Sequence, residues 1–144
     1  GQTYLETIYL LKRENGRVKS IDVAKALGFS KPSVSRAMGK LKAEGYLEVG
    51  EKGELVLTKE GNKIAKDLVE KQETLTQFLM MTADVDQETA EDDARKMMHF
   101  ISKKSFQGIL NFIKHGPLAL YNCVYDLIFR SGLYFYVFSH KETS

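Results

Sequence analysis

The sequence predicts a mainly α protein carrying one small β hairpin, and three observations lead to that class. Apolar residues recur at helical spacing in successive segments separated by short polar links. The only pair of short alternating runs, Tyr46-Leu47-Glu48-Val49 and Leu55-Val56-Leu57, flanks the tip Gly50-Glu51-Lys52-Gly53. Serine, proline and glycine stand where helices should start and stop.

The first helix is expected over Tyr4–Arg13, with Leu5, Ile8, Tyr9 and Leu11 on its apolar side and Asn15-Gly16 ending it. Arg17-Val18 reads as a short extended link. Ser20 is placed to cap a second helix with Val23, Ala24 and Leu27 inward, and Gly28 closes it. Phe29 reads as a core plug in the turn. Ser30 caps a third helix over about residues 31–44, with Pro32 in its first turn, where a missing N–H costs nothing. Val34, Met38 and Leu41 bury one face of it and leave Ser33, Ser35, Arg36 and Lys40 outward. The hairpin spans about residues 46–57.

Thr58 caps a long helix to about Met81, with Ile64, Leu68, Leu75, Phe78 and Leu79 on its buried side. Asp86 caps a helix over about 87–101. Ser102 introduces another, with Phe106, Ile109, Leu110 and Ile113 inward, and Gly116-Pro117 stops it. The organisation read from this order is a domain over 1–70, a helical domain over 71–115 and an aromatic-rich tail over 116–144. In the tail, residues 118–138 carry only Asp126 and Arg130 as charges, a length sufficient to span a bilayer. The central charge pair, the Ser131-Gly132 break and the missing basic flank argue instead for a helix followed by Leu133-Tyr134-Phe135-Tyr136-Val137-Phe138 as a buried strand or a subunit contact.

Composition sets the broad class. The 144 residues are 43% hydrophobic and 28% charged with a net charge of +2, which suits a folded globular chain and excludes a disordered one. The basic excess is local, with 13 Lys/Arg against 10 Asp/Glu in residues 1–70 and 8 against 9 beyond. The single cysteine, Cys123, excludes an intramolecular disulfide and a Cys-rich zinc site. With no visible signal peptide, the expected setting is the cytoplasm. The chain opens on Gly1 rather than Met, which leaves room for a few residues before it.

Helix, helix-turn-helix, hairpin is the winged-helix order. From Ser30 to Lys42 there are four cations (Lys31, Arg36, Lys40, Lys42) and no acid. In a helix-turn-helix the second helix enters the major groove with its N-terminal side chains at base edges. The candidate DNA-contacting residues are therefore Ser30, Lys31, Ser33, Ser35 and Arg36, with Lys40 and the wing's Lys52 suited to phosphate. Arg36 fits bidentate contact with guanine. The competing readings are a solvated charged helix face, a winged-helix protein-interaction module using the aromatic tail, and a regulator sensing an organic ligand. An enzyme is excluded: no nucleophile–base pair, phosphate loop or paired carboxylates appear, and Asp92-Asp93 reads as a solvated face.

The ordered set of motifs resembles the DtxR/MntR-like, metal-dependent transcriptional repressors. It comprises Tyr4-Leu5-Glu6-Thr7-Ile8-Tyr9, Val23-Ala24-Lys25-Ala26-Leu27, Ser33-Val34-Ser35, Lys40-Leu41 and Gly45-Tyr46-Leu47. Leu55-Val56-Leu57-Thr58-Lys59-Glu60-Gly61 and Glu91-Asp92-Asp93-Ala94, leading to His99-Phe100-Ile101-Ser102, complete it. The likeness covers about residues 3–114. It implies a winged helix followed by a helical dimerisation domain, and a homodimer on a palindromic double-stranded operator. It also implies Mn²⁺ or Fe²⁺ bound between the domains.

Carried over residue by residue, most of the family's metal ligands are missing. Thr3 stands where the family has Asp or Met, and Gln72 stands at the long-helix histidine. The positions of Cys or Glu, then Glu, then His hold Arg95, Met98 and His99. Glu6 and His99 survive as candidate metal ligands, with Met98 as a soft third. Two ligands rarely hold a hard divalent ion against water. The resemblance thus leads to a regulator with metal control weakened or lost, and Arg95 is placed to pair with Glu6 instead. His99 otherwise reads as a satisfied interior or interface histidine, Met80-Met81 and Met97-Met98 as core, and His115 and His140 as bystanders.

Overall fold

Leu5 and Ile8, one helical turn apart, are buried on the inner side of α1 (Gln2–Asn15), with Tyr9 and Leu11 packed beside them. The structure, a computed structural model, describes residues 1–116; the expectations for the rest of the tail lie outside the described residues. The chain divides into two compact units at Glu73 and Thr74.

In the first unit α1 is followed by α2 (Ser20–Leu27) and α3 (Lys31–Ala43). Then come β1 (Leu47–Val49), β2 (Leu55–Leu57) and the first part of α4 (Lys59–Ala83). Val23 and Ala24 of α2 and Val34, Met38 and Leu41 of α3 converge on Leu5 and Ile8. Val18, Leu47, Leu55, Leu57 and Ala65 close the same core. Burying each large aliphatic side chain there contributes roughly 1.5–3 kcal/mol. The strands pair antiparallel with Leu47 opposite Leu57 and Val49 opposite Leu55. The link before α2 joins the sheet edge: Leu55 N donates to Val18 O at 2.7 Å, and Lys19 bridges Glu54.

Two local expectations are corrected here. Ser20 is the first residue of α2, not its cap; the cap position is Lys19, whose N–H is held by Asp22 Oδ2 at 2.8 Å. The Asp22 carboxylate thus holds the N–H that opens the helix one residue before Ser20, a charge-assisted bond. Phe29 is no core plug: it is 48% exposed and meets the Tyr4 ring edge-on at 6.0 Å. On α4 the deepest residues of the first unit are Ala65 and Val69, with Ile64 and Leu68 half-buried beside them. Small and β-branched residues sit at the closest approach, and the longer ones flank it.

In the second unit α4 runs on to Ala83, followed by α5 (Gln87–Met97) and α6 (Lys103–His115). Leu75 of α4, Ala90 and Ala94 of α5, and Met98 just beyond are buried. Phe78 and Phe112 stack edge-to-face at 5.8 Å. The α5 helix ends at Met97, four residues short of the expected Ile101, and residues 98–100 form a turn. Asp86 sits at its cap position but makes no capping bond with its side chain. Ser102 does cap α6, accepting from Ser105 N at 3.1 Å.

Candidate nucleic-acid interface

The turn between α2 and α3 is built by the backbone before it is built by side chains. Gly28 takes the left-handed conformation (φ 65°), and Phe29 N returns to Ala24 O at 3.1 Å. Ser30 then accepts from Ser33 N at 3.4 Å and donates to the Ser33 hydroxyl at 2.8 Å. Two of the three serines expected at the nucleic acid, Ser30 and Ser33, are thus engaged with each other, fixing the start of α3. Their hydroxyls set the helix direction first and reach a ligand only through the lone pairs left over.

With Val34, Met38 and Leu41 buried, the opposite face of α3 is fixed by the helical period. Lys31, Ser35, Arg36 and Lys40 are all exposed on it, together with Gly39. Lys40 lies 4.0 Å from Glu44 in an exposed i, i+4 pair, which water screens and an arriving phosphate displaces at little cost. Lys31 and Arg36 are exposed on the same helix. The wing presents Lys52 at its tip, where its backbone N–H donates to Glu54 Oε2 at 3.0 Å and leaves the ammonium outward. Gly53 takes φ 78° to close this turn.

Helix and wing are held in register by the segment between them. Tyr46 N donates to Leu41 O at 3.0 Å, so the chain leaves α3 in a fixed direction. Thr58 N donates to Tyr46 O at 3.1 Å as the chain returns from β2. A cleft of about 310 Å³ opens between the N-terminal turns of α2 and α3, lined by Ser20, Ile21, Lys31 and Ser35. Sequence reasoning missed it because Ser20 was assigned to capping and Ile21 to nothing. The signal available was an isoleucine outside the inward set of Val23, Ala24 and Leu27.

The candidate metal residues are placed very differently. Glu6 is half-buried on α1 in the first unit. His99 belongs to the second unit and lies exposed in the turn after α5, so it is not an interior histidine; the early end of the helix turns it to solvent. Met98 is 5% exposed, its thioether part of the core. Arg95 is exposed and donates to Asp92 Oδ1 at 3.4 Å on its own helix. Lys96 reaches the other oxygen of Asp92 at 2.6 Å and holds that carboxyl below its usual range. Asp92 and Asp93 lie on a solvated helix face, as expected, and Asp92 is paired there with Lys96 and Arg95. Among the described residues no three His, Cys, Asp or Glu side chains are grouped to hold a metal ion, and no helix is long and apolar enough to cross a membrane. Thr76 Oγ1, buried without a partner among them, is a neutral hydroxyl and a poor substitute for a hard anionic ligand.

A basic reading helix packed through its apolar side, followed by a wing with Lys52 at its tip, defines a winged helix-turn-helix DNA-binding module. Comparison with known proteins gives the same class. Residues 1–55 match the family described as iron dependent repressor, N-terminal DNA binding domain, and residues 58–116 match its metal binding and dimerisation domain. The chain is 34% identical over 113 residues to the HTH-type transcriptional regulator MntR of Lysinibacillus sphaericus, covering 78% of this chain and 81% of that protein. It is 35% identical over 114 residues to MntR of Bacillus subtilis, covering 79% and 80%. Among solved structures, IdeR of T. acidophilum superposes with a TM-score of 0.70 at 21% identity, over 78% of this chain and 53% of that one. The manganese regulator SloR gives 0.67 at 24% identity over the same shares, so the chain spans about half the length of these structures. The chain belongs to the DtxR/MntR family of iron-dependent repressors, a family of transcriptional regulators and not of enzymes.

Proposed function

We propose that this protein represses transcription as a cytoplasmic homodimer on palindromic double-stranded operator DNA, with metal control weakened or lost. The observation that carries the DNA reading is the exposed face of α3, where Lys31, Ser35, Arg36 and Lys40 project from a helix anchored by three buried residues. Arg36 is assigned to a base edge, Lys40 and Lys52 to phosphate, and Ser30 and Ser33 to fixing the helix start beside the DNA. Two such helices related by a two-fold axis would enter successive major grooves.

The homodimer is supported by the apolar surface of the second unit. Phe100 is 90% exposed, Met80 42% and Met81 53%, and no residue of the amphipathic α6 is fully buried. Surfaces of this kind are covered in solution. The solved ScaR proteins of the same fold include forms with bound Zn²⁺ and Cd²⁺, and the family profile over residues 58–116 is named for metal binding. In this chain the Mn²⁺ or Fe²⁺ implied by the family does not fit the residues present. Arg95 and buried Met98 stand at two of the ligand positions, the surviving His99 is exposed, and Glu6 is the one carboxylate kept at a matched position. No step of the mechanism is routed through a metal.

The test is sedimentation of the full-length protein alone and with a duplex selected from a random-sequence pool. A dimer binding one duplex supports the reading. A monomer that selects no duplex refutes it.

A further inference from the structure

The cleft between α2 and α3 opens beside the reading face but is not explained by phosphate contact. Two of its lining residues, Lys31 and Ser35, stand one helical turn apart on the exposed side of α3. The opposite wall is Ser20 and Ile21, the first two residues of α2. Ile21 is 37% exposed, a β-branched apolar side chain at the rim of a helix that buries Val23 and Ala24. Asp22 stands next to it and would repel a phosphate, so the wall suits a neutral group with an apolar edge.

Resting on the DNA-binding reading above, we propose that this cleft seats the C5-methyl edge of a thymine in the major groove. Thymine presents a methyl group beside the O4 acceptor, and cytosine presents neither. Ile21 supplies the apolar contact for the methyl. The Lys31 ammonium or the Ser35 hydroxyl donates to O4, and the Ser20 hydroxyl lines the rim toward the sugar–phosphate chain. The first helix of the pair thereby becomes a reader of sequence, and Ile21 a specificity-determining residue in a position that otherwise only braces the recognition helix.

The preferred duplex of the full-length protein is selected from a random-sequence pool, and each thymine in it is replaced singly by deoxyuridine. Affinities are measured by fluorescence anisotropy at fixed salt for the native protein, Ile21→Ala and Ile21→Val. The expected result is a thymine at which loss of the methyl weakens the native protein about fourfold, the equivalent of one buried methyl group. Ile21→Ala is insensitive to that replacement, and Ile21→Val retains the sensitivity. Equal losses in the native protein and Ile21→Ala at every thymine overturn the assignment, as does a native protein indifferent to every methyl. Salt-dependent binding without any selected sequence overturns the thymine contact and leaves the DNA reading standing. Absence of DNA binding removes both.

Discussion

The Thr58 hydroxyl donates to the Gly45 carbonyl at 2.7 Å, tying the first turn of α4 to the end of the recognition helix. The same oxygen accepts from Gly61 N at 3.2 Å, so one side chain caps α4 and clasps the segment that leaves α3. Thr58→Val keeps the shape and removes both bonds. The expected loss is about 1–2 kcal/mol of unfolding free energy, read from denaturant midpoints at unchanged slope.

Gly61 gives the sharpest packing prediction. A Cβ there would collide with the backbone carbonyl of Tyr46, which has no flexible end to move aside. Alanine ordinarily stabilises a helix interior by about 1 kcal/mol over glycine. At Gly61 the sign reverses, and Gly61→Ala is expected to destabilise by about 1–3 kcal/mol, the usual cost of overpacking. At Gly39, helical and open to solvent with nothing within 4 Å, Gly39→Ala is expected to stabilise by about 0.5–1 kcal/mol. Thermal unfolding of the two variants compares the signs directly.

Arg36 and Lys40 separate base reading from phosphate binding. Arg36→Ala is expected to cost about 1–3 kcal/mol on the selected duplex and to relax preference at one base pair. Lys40→Ala is expected to weaken all sequences about equally and to lower the salt slope by about 1. Anisotropy titrations on matched and scrambled duplexes distinguish these outcomes.

The Asp92–Lys96 pair sets an acid response on α5. Its hydrogen bond to Lys96, followed by the charge of that ammonium, lowers the Asp92 pKa. A lowered carboxyl pKa contributes stability that is present above the unfolded value and lost as pH falls through the folded one. The pair is exposed, so its contribution to folding is small and the titration itself is the readout. Carbon-detected NMR should place the Asp92 midpoint below that of an ordinary aspartate, and Lys96→Met should raise it.

Much of the winged helix was legible because its boundaries are chemical. Gly28, Ser30 and Pro32 leave few alternatives for the turn, and Val34, Met38 and Leu41 fix which side of α3 faces out. Phe29 was misread because an aromatic in a turn suggests burial, whereas the Tyr4 ring covers only one edge of it. The end of α5 was misread because no glycine or proline marks it, and that early end is what turns His99 outward. The cleft at Ile21 left only that outlying isoleucine as a trace in the sequence, since it arises from residues of two helices meeting across the turn. The proposed loss of metal control, in contrast, rests on the sequence itself, where Thr3, Gln72, Arg95 and Met98 stand at positions at which the family pattern has ligands.

The most direct test of the central claim is a salt series on the selected duplex, with full-length protein titrated in chelator and then in Mn²⁺. The account predicts that log K falls steeply and linearly with log salt, by about 0.9 per phosphate neutralised, and that the lines with and without Mn²⁺ coincide. Binding that ignores salt would contradict the assignment of the basic face of α3 to DNA. Binding that appears only when micromolar Mn²⁺ is added would contradict the loss of metal control.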